Sequence, residues 1–414
     1  MFMVATTSLT RPLWYKLKGG LPSSLQPWER IFNYGFIDAK TSCPLYGFTS
    51  KNVTDNDSHD LYDGFIFSSE LDLLEIRLNE LEGLVAKFII VESTRSFTNQ
   101  PKPLWWRDYG RYQLRFSRFL KDIVHVILPA EEVEYQFTHG GKWLVEAHHR
   151  QAVLHGFIKG GMKYNDVMIV GDVDEIPRRS TVNVLKHCSN YPSDIVFELD
   201  TFIVGFHTFS SDPPKRNSAA RRYLKHPKKD TDWVAHHTRK TNYLFSNSGW
   251  HCTWCFCYYD QYVWKMKSYS HHDRGIVKHS LLKYRISNGL EIHGLYPESY
   301  TWSNLIWRIA RDQDIDSRRI YSTLLLPKLI QERPMLHPYL LDYGVKSVSN
   351  DDGSKDNREM HDPFLNTWKK NGRPKQDKNL QMCTESCRPI CFFKDVESNV
   401  RKETDSVRSG ICSL

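Results

Sequence analysis

The chain has 414 residues, of which 40% are hydrophobic and 25% charged, with a formal net charge of +8. That length and balance suit one large α/β domain or two smaller ones, and exclude a disulfide-scaffolded miniprotein. No apolar run of about eighteen residues occurs, so no transmembrane helix is evident, and the thin spread of basic residues argues against a nucleic-acid partner.

Residues 1–60 lack sustained periodicity and contain Gly19-Gly20, Pro22 and Pro27, which reads as an N-terminal extension or stem. Two glycosylation sequons, Asn52-Val53-Thr54 and Asn56-Asp57-Ser58, lie just before the first regular segment; they are usable only in a secretory lumen. Order begins with Asp63-Gly64-Phe65-Ile66-Phe67-Ser68, a short buried-strand pattern. Leu71, Leu74, Leu78 and Leu81 then recur at helical spacing, with Ser69 in position to cap the helix. Residues 87–92, 123–128 and 166–170 are apolar runs of strand length, 193–199 supplies a further strand, and 143–157 carries a helical pattern. Continuous apolar strands alternating with helices denote a parallel sheet covered on both faces. The predicted fold is therefore α/β, a mostly parallel open sheet with helices on both faces, in a single catalytic domain over residues 61–343. The Lys- and Pro-rich stretch from Arg216 to Lys229 reads as an exposed loop. Residues 344–414 are rich in Ser, Asn, Asp and Lys and read as a disordered tail, whose Cys383, Cys387 and Cys391 match no familiar zinc spacing.

Three segments carry candidate chemistry. Gly171-Asp172-Val173-Asp174-Glu175-Ile176-Pro177 follows the apolar residues 167–170, at the carboxyl end of a strand, where open α/β sheets bind ligands. Alternate residues of an extended segment share a side, so Asp172 and Asp174 present two carboxylates together. Such a pair can hold magnesium or manganese, hard cations that take oxygen ligands and keep a substrate diphosphate in their shell. The bland counterpart is a solvated acidic turn. In residues 249–257, Cys252 and Cys255 have a metal-ligand spacing, with His251 and Cys257 beside them. Four ligands within seven residues poorly surround a tetrahedral zinc, so packing, a disulfide or an aromatic pocket wall is favoured. The third segment is His271-His272-Asp273.

The run from Phe65 to Leu81 resembles the opening of glycosyltransferase family 17. The likeness continues through Ile90-Val91-Glu92-Ser93, Phe97-Thr98, Lys102-Pro103-Leu104, the helix around Arg150, residues 171–177 and residues 249–256. It reaches Ser270-His271-His272-Asp273 more loosely and spans roughly residues 60–340. The resemblance implies a GT-A-like fold, UDP-N-acetylglucosamine as donor, a divalent metal and inversion at the anomeric carbon. It also implies a β-linked mannose of an N-glycan, on a glycan or glycoprotein, as acceptor. By the same match Asp172 and Asp174 form the metal–diphosphate motif, His271 is a further metal ligand, and Glu92 and Arg150 lie on the nucleotide side. An ion pair at the sheet edge is the structural alternative for Glu92 and Arg150. Inversion requires a carboxylate to deprotonate the acceptor hydroxyl, for which Asp273, Glu291 and Glu298 are candidates.

Two alternatives stand beside this reading: transfer of another sugar or to another acceptor, and a non-catalytic glycan-binding protein of the same fold. Intact Asp172 and Asp174 argue against the second, since a binding module has no need of a metal–diphosphate site. The resemblance implies the Golgi or another part of the secretory lumen. The membrane anchor of animal family members is not visible here, which leaves the cytoplasm open.

Overall fold

The computed structural model describes residues 28–51, 59–210, 216, 218–224, 241–287, 292–293, 317–319, 326–341, 382–384 and 387–390. In chain order its strands are β1 (Glu29–Ile31), β2 (Thr49–Ser50), β3 (Leu61–Ile66), β4 (Lys87–Ser93), β5 (Ile123–Leu128) and β6 (Val167–Asp172). They continue with β7 (Glu175–Pro177), β8 (Cys188–Ser189), β9 (Asp194–Ile203), β10 (Thr208–Ser210), β11 (Ala219–Arg222), β12 (Tyr243–Thr253) and β13 (Ser317–Arg319). The main sheet runs β1-β12-β9-β11-β6-β3-β4-β5. Every neighbouring pair along it is parallel except at β11, which is antiparallel to both β9 and β6. The fold is thus the expected mostly parallel, GT-A-like α/β domain.

Two helices account for the unbroken apolar runs. Side chains alternate across a strand, so each strand buries two sets. Ile89, Val91, Met168 and Val170 share a cluster with Val153 and Phe157 of the Ala130–Lys159 helix. Phe88, Ile90, Val167 and Ile169 share another with Leu74 and Leu78 of the Leu71–Leu81 helix. The long helix is interrupted at Gly141 (φ 66°, ψ −161°), a left-handed conformation that glycine adopts without Cβ strain. Its second part holds the predicted 143–157 segment.

That helix rests directly on the sheet. A Cβ added at Gly64 of β3 would lie 2.5 Å from Phe157 Cζ and 2.5 Å from Val153 Cγ1. Gly64→Ala is expected to cost about 1–3 kcal/mol, the usual range for forcing a methyl into a packed core. Urea denaturation checks this; an unchanged midpoint would mean that the helix has room to withdraw.

Three expectations are corrected. First, the supposed stem contributes to the domain: β1 lies parallel on β12, and Arg30 donates to Glu198 at 2.6 Å and Ser246 at 3.0 Å. Asp38 caps the Ala39–Leu45 helix through the Thr41 amide, and the Cys43–Cys188 disulfide ties that helix to β8, which pairs with β2. A three-residue strand and a seven-residue helix containing Pro44 are too short to show a hydrophobic period. Both sequons lie outside the described residues. Second, part of the supposed basic loop is β11, seated between β9 and β6. Ala219 and Ala220 give little apolar signal, while Arg221 meets Asp194 at 3.6 Å and Arg222 donates to Asn165 at 3.1 Å. Third, Ser69 does not cap its helix; Glu70 occupies the cap position without a side-chain cap bond, its carboxylate turned back onto the Ser69 amide at 2.8 Å. Apart from a hairpin of Met382–Thr384 with Cys387–Ile390, the predicted tail lies outside the described residues.

Candidate functional site

β6 ends at Asp172, and the turn that follows is held from inside the protein. Arg77, midway along the Leu71–Leu81 helix, is fully buried and donates to both oxygens of the fully buried Asp63 at 2.7 Å. Its Nη1 also donates to the backbone carbonyls of Asp172 at 2.7 Å and Glu175 at 2.6 Å. Glu175 turns inward, accepting the Asp172 amide at 3.1 Å and the Ser218 hydroxyl at 2.7 Å. A Cβ at Gly171 would meet Ser218 Oγ at 2.3 Å, so the residue preceding the acidic pair has no space for a side chain. β7 then pairs with β12, and the Asp174 carbonyl accepts the Cys252 amide at 2.9 Å.

The Asp172 and Asp174 carboxylates each meet a cation. Asp172, 30% exposed, accepts Arg150 Nη1 at 2.8 Å, and Glu146 one helical turn earlier braces Arg150 at 2.8 Å. Burial alone would lower the Arg150 pKa, but the Asp172 and Glu146 carboxylates outweigh it and raise the pKa. Asp174, 10% exposed, accepts Lys265 Nζ at 3.2 Å and has His251 Nε2 at 3.8 Å. Lys265 also lies 3.9 Å from Glu70 and stands over the rings of Trp254 and Phe256. Burial opposes its charge, yet Asp174 and Glu70 prevail and raise its pKa. The result is a cluster of hard oxygen ligands and fixed positive charge at the carboxyl end of a central strand, suited to an anionic ligand such as a diphosphate.

The sequence model of glycosyltransferase family 17 matches residues 1–346. The chain belongs to glycosyltransferase family 17. It is 23% identical over 221 residues to the human β-1,4-mannosyl-glycoprotein 4-β-N-acetylglucosaminyltransferase, a match covering 45% of this chain and 39% of that protein. The rat enzyme of the same name is likewise 23% identical over 221 residues, covering 45% of this chain and 38% of that protein. The match therefore spans about two-fifths of the length of these relatives.

In this family 17 chain Arg150 pairs with Asp172, and Asp174, two residues on, pairs with Lys265. Glu92 does not join them. It is fully buried and accepts the amides of Trp106 at 2.8 Å and Arg107 at 3.3 Å, with His125 Nε2 at 2.8 Å. A carboxylate engaged in this way holds the start of the Trp105–Asp108 helix. His271 packs against Trp143 and Tyr269 with ring centroids 5.0 and 5.9 Å apart, and forms no ligand group with Asp172 and Asp174. Asp273 is 64% exposed and ion-paired with Lys142, whose hydrogen bond holds its carboxyl below the usual range. Glu291 and Glu298 lie outside the described residues.

The segment 249–257 contains a Cys252–Cys255 disulfide, and Cys257 is also disulfide-bonded, so no thiolate remains there for zinc. Trp250 and Cys252 share a core cluster with Ile76 and Ile176, in keeping with the packing role favoured for this segment. Sequence reasoning missed Lys265 as a neighbour of Asp174, and Glu70 as a neighbour of Lys265. Among the described residues, the one trio with ligand atoms within 4.8 Å is Asp72, Glu75 and His337. Arg115 already donates to Asp72 at 2.5 Å and Glu75 at 2.9 Å, and the Tyr339 hydroxyl to Asp72 at 2.8 Å. This trio is a buried ion network that fastens residues 337–339 to the Leu71–Leu81 helix.

Proposed function

We propose that this family 17 chain is an inverting glycosyltransferase moving N-acetylglucosamine from UDP-N-acetylglucosamine to a β-linked mannose of an N-glycan. The observation that carries it is the Asp172–Asp174 pair at the end of β6, set among Arg150, Lys265 and His251. N-acetylglucosamine and the mannosyl glycoprotein follow the names of the relatives, and the UDP donor, inversion and the N-glycan follow the resemblance to the family.

The acidic pair fits a divalent cation, manganese or magnesium: both side chains offer hard carboxylate oxygens, no thiolate competes, and Asp172 is partly open to solvent. Bound there, the cation would supply charge stabilisation for the departing nucleoside diphosphate. The chain's own residues do the rest. Arg77 fixes the turn that carries both carboxylates, Arg150 orients Asp172, and Trp254 and Phe256 wall the Lys265 side. The candidates for the catalytic base remain Asp273, Glu291 and Glu298, of which Asp273 is exposed and ion-paired with Lys142. The disulfides Cys43–Cys188 and Cys252–Cys255 support placement in the secretory lumen, with the Golgi the expected compartment. No helix among the described residues is long and apolar enough to cross a membrane.

The test is UDP release from a panel of UDP-sugars, with and without manganese and an N-glycan acceptor. The expected result is metal-dependent release from UDP-N-acetylglucosamine, stimulated by the acceptor. Turnover of a different UDP-sugar alone would establish another transferase, and glycan binding without any UDP release would establish a binding protein. Undiminished activity in excess chelator would remove the metal.

A further inference from the structure

Asp174 already has a cation on it. Lys265 Nζ lies 3.2 Å from Oδ2, in a side chain that is 20% exposed, and His251 Nε2 lies 3.8 Å from the same oxygen. The Asp172 pairing differs in kind. Arg150 keeps two contacts to Glu146, at 3.1 and 2.8 Å, whatever Asp172 does. Lys265 has its close contact to Asp174 and a looser one, at 3.9 Å, to Glu70. Trp254 and Phe256 present ring faces 5.5 and 5.3 Å from the ammonium, a favourable surface for a cation as it moves. A lysine is a compact charge on four rotatable bonds, so it can change partner without moving its helix, Tyr259–Ser268. A divalent cation on Asp174 and an ammonium on the same oxygen repel each other.

We propose that Lys265 is an exchangeable counter-ion of Asp174: it holds that carboxylate in the unloaded site, yields it to the divalent cation, and turns toward Glu70 and the donor's diphosphate. The proposal rests on the transferase reading above and adds the residue that couples metal entry to donor binding. Before loading, Lys265 neutralises Asp174 while Arg150 neutralises Asp172. After loading, its charge opposes that of the diphosphate, so metal and nucleotide each favour the other's binding.

Two titrations of the full chain test it: manganese(II) alone, followed by electron paramagnetic resonance, and UDP at saturating manganese(II), followed by calorimetry. Lys265→Met is expected to bind manganese(II) at least about tenfold more tightly, having lost the competitor, and UDP about tenfold more weakly. Lys265→Arg keeps the charge and should retain most of the competition. Glu70→Gln removes the second anchor, confines the ammonium to Asp174 and should weaken manganese(II) binding; it also serves if Lys265→Met fails to fold. Unchanged or weaker manganese(II) affinity in Lys265→Met overturns the counter-ion role, and unchanged UDP affinity overturns the diphosphate role. A wild-type chain that binds neither manganese(II) nor UDP rejects the transferase reading and this proposal with it. Normal wild-type binding with no response in the variants rejects only Lys265.

Discussion

Asp174→Ala should abolish sugar transfer, lowering kcat/KM by about 10²–10³-fold or more, with the chain still folded. The magnitude follows from what one preorganised group facing developing charge is worth in a water-poor site. Asp174 is the less exposed member of the pair and the one that meets both Lys265 and His251, so its removal strips the cation site of its more enclosed oxygens. Its backbone carbonyl still receives the Cys252 amide in the variant, and β7 still pairs with β12. Asp174→Asn, which keeps the shape and loses the charge, should fail nearly as badly. The measurement is UDP release from UDP-N-acetylglucosamine, alongside circular dichroism and thermal unfolding. Turnover within about threefold of wild type by either variant would place the diphosphate site elsewhere.

The largest stability effect is expected at Arg77. Arg77→Met leaves the Asp63 carboxylate fully buried with its two close guanidinium bonds gone, and removes the donor from the Asp172 and Glu175 carbonyls. Breaking a buried ion pair from one side costs about 3–5 kcal/mol. Replacing both partners with apolar side chains is far milder, so Arg77→Met with Asp63→Leu should recover much of the loss. Urea unfolding at constant slope reads both. A single-variant loss below about 1 kcal/mol would mean that water enters to solvate Asp63. Activity should fall together with stability, because the same guanidinium holds the turn that presents Asp172 and Asp174.

What the sequence made legible follows from where the physical signal was local. β3, β4, β6 and β9 are buried on both sides, and two-sided burial writes itself as an apolar run; β5, at the sheet edge, is apolar in sequence but only partly buried. Asp172 and Asp174 are readable because three consecutive residues and one preceding strand contain the whole motif. Lys265 is 91 residues from Asp174 and sits in a helix with no motif of its own, so only the folded chain reveals the pairing. Glu92 shows the converse. Its position at a strand end resembled a ligand site, but its partners are the backbone amides of Trp106 and Arg107 and the ring of His125, none of them adjacent in sequence. β11 was hidden because two alanines and two arginines look like a loop until strands close on either side.

The N-terminal edge of the sheet also sets an order on how the molecule is made. β1 pairs with a strand whose residues are synthesised long after it; the Arg30–Ser246 bond spans 216 positions. At about 5–20 residues per second, that is a wait of about ten to forty seconds on the ribosome. Cys188 emerges first, only 145 positions after Cys43. Oxidation can therefore tether the N-terminal segment beside the growing sheet before β12 exists, and the loop that β1 must close is already short when its partner arrives. In a reducing compartment the same strand would have to find its place untethered, so the compartment where the chain is translated bears on how often the edge is completed.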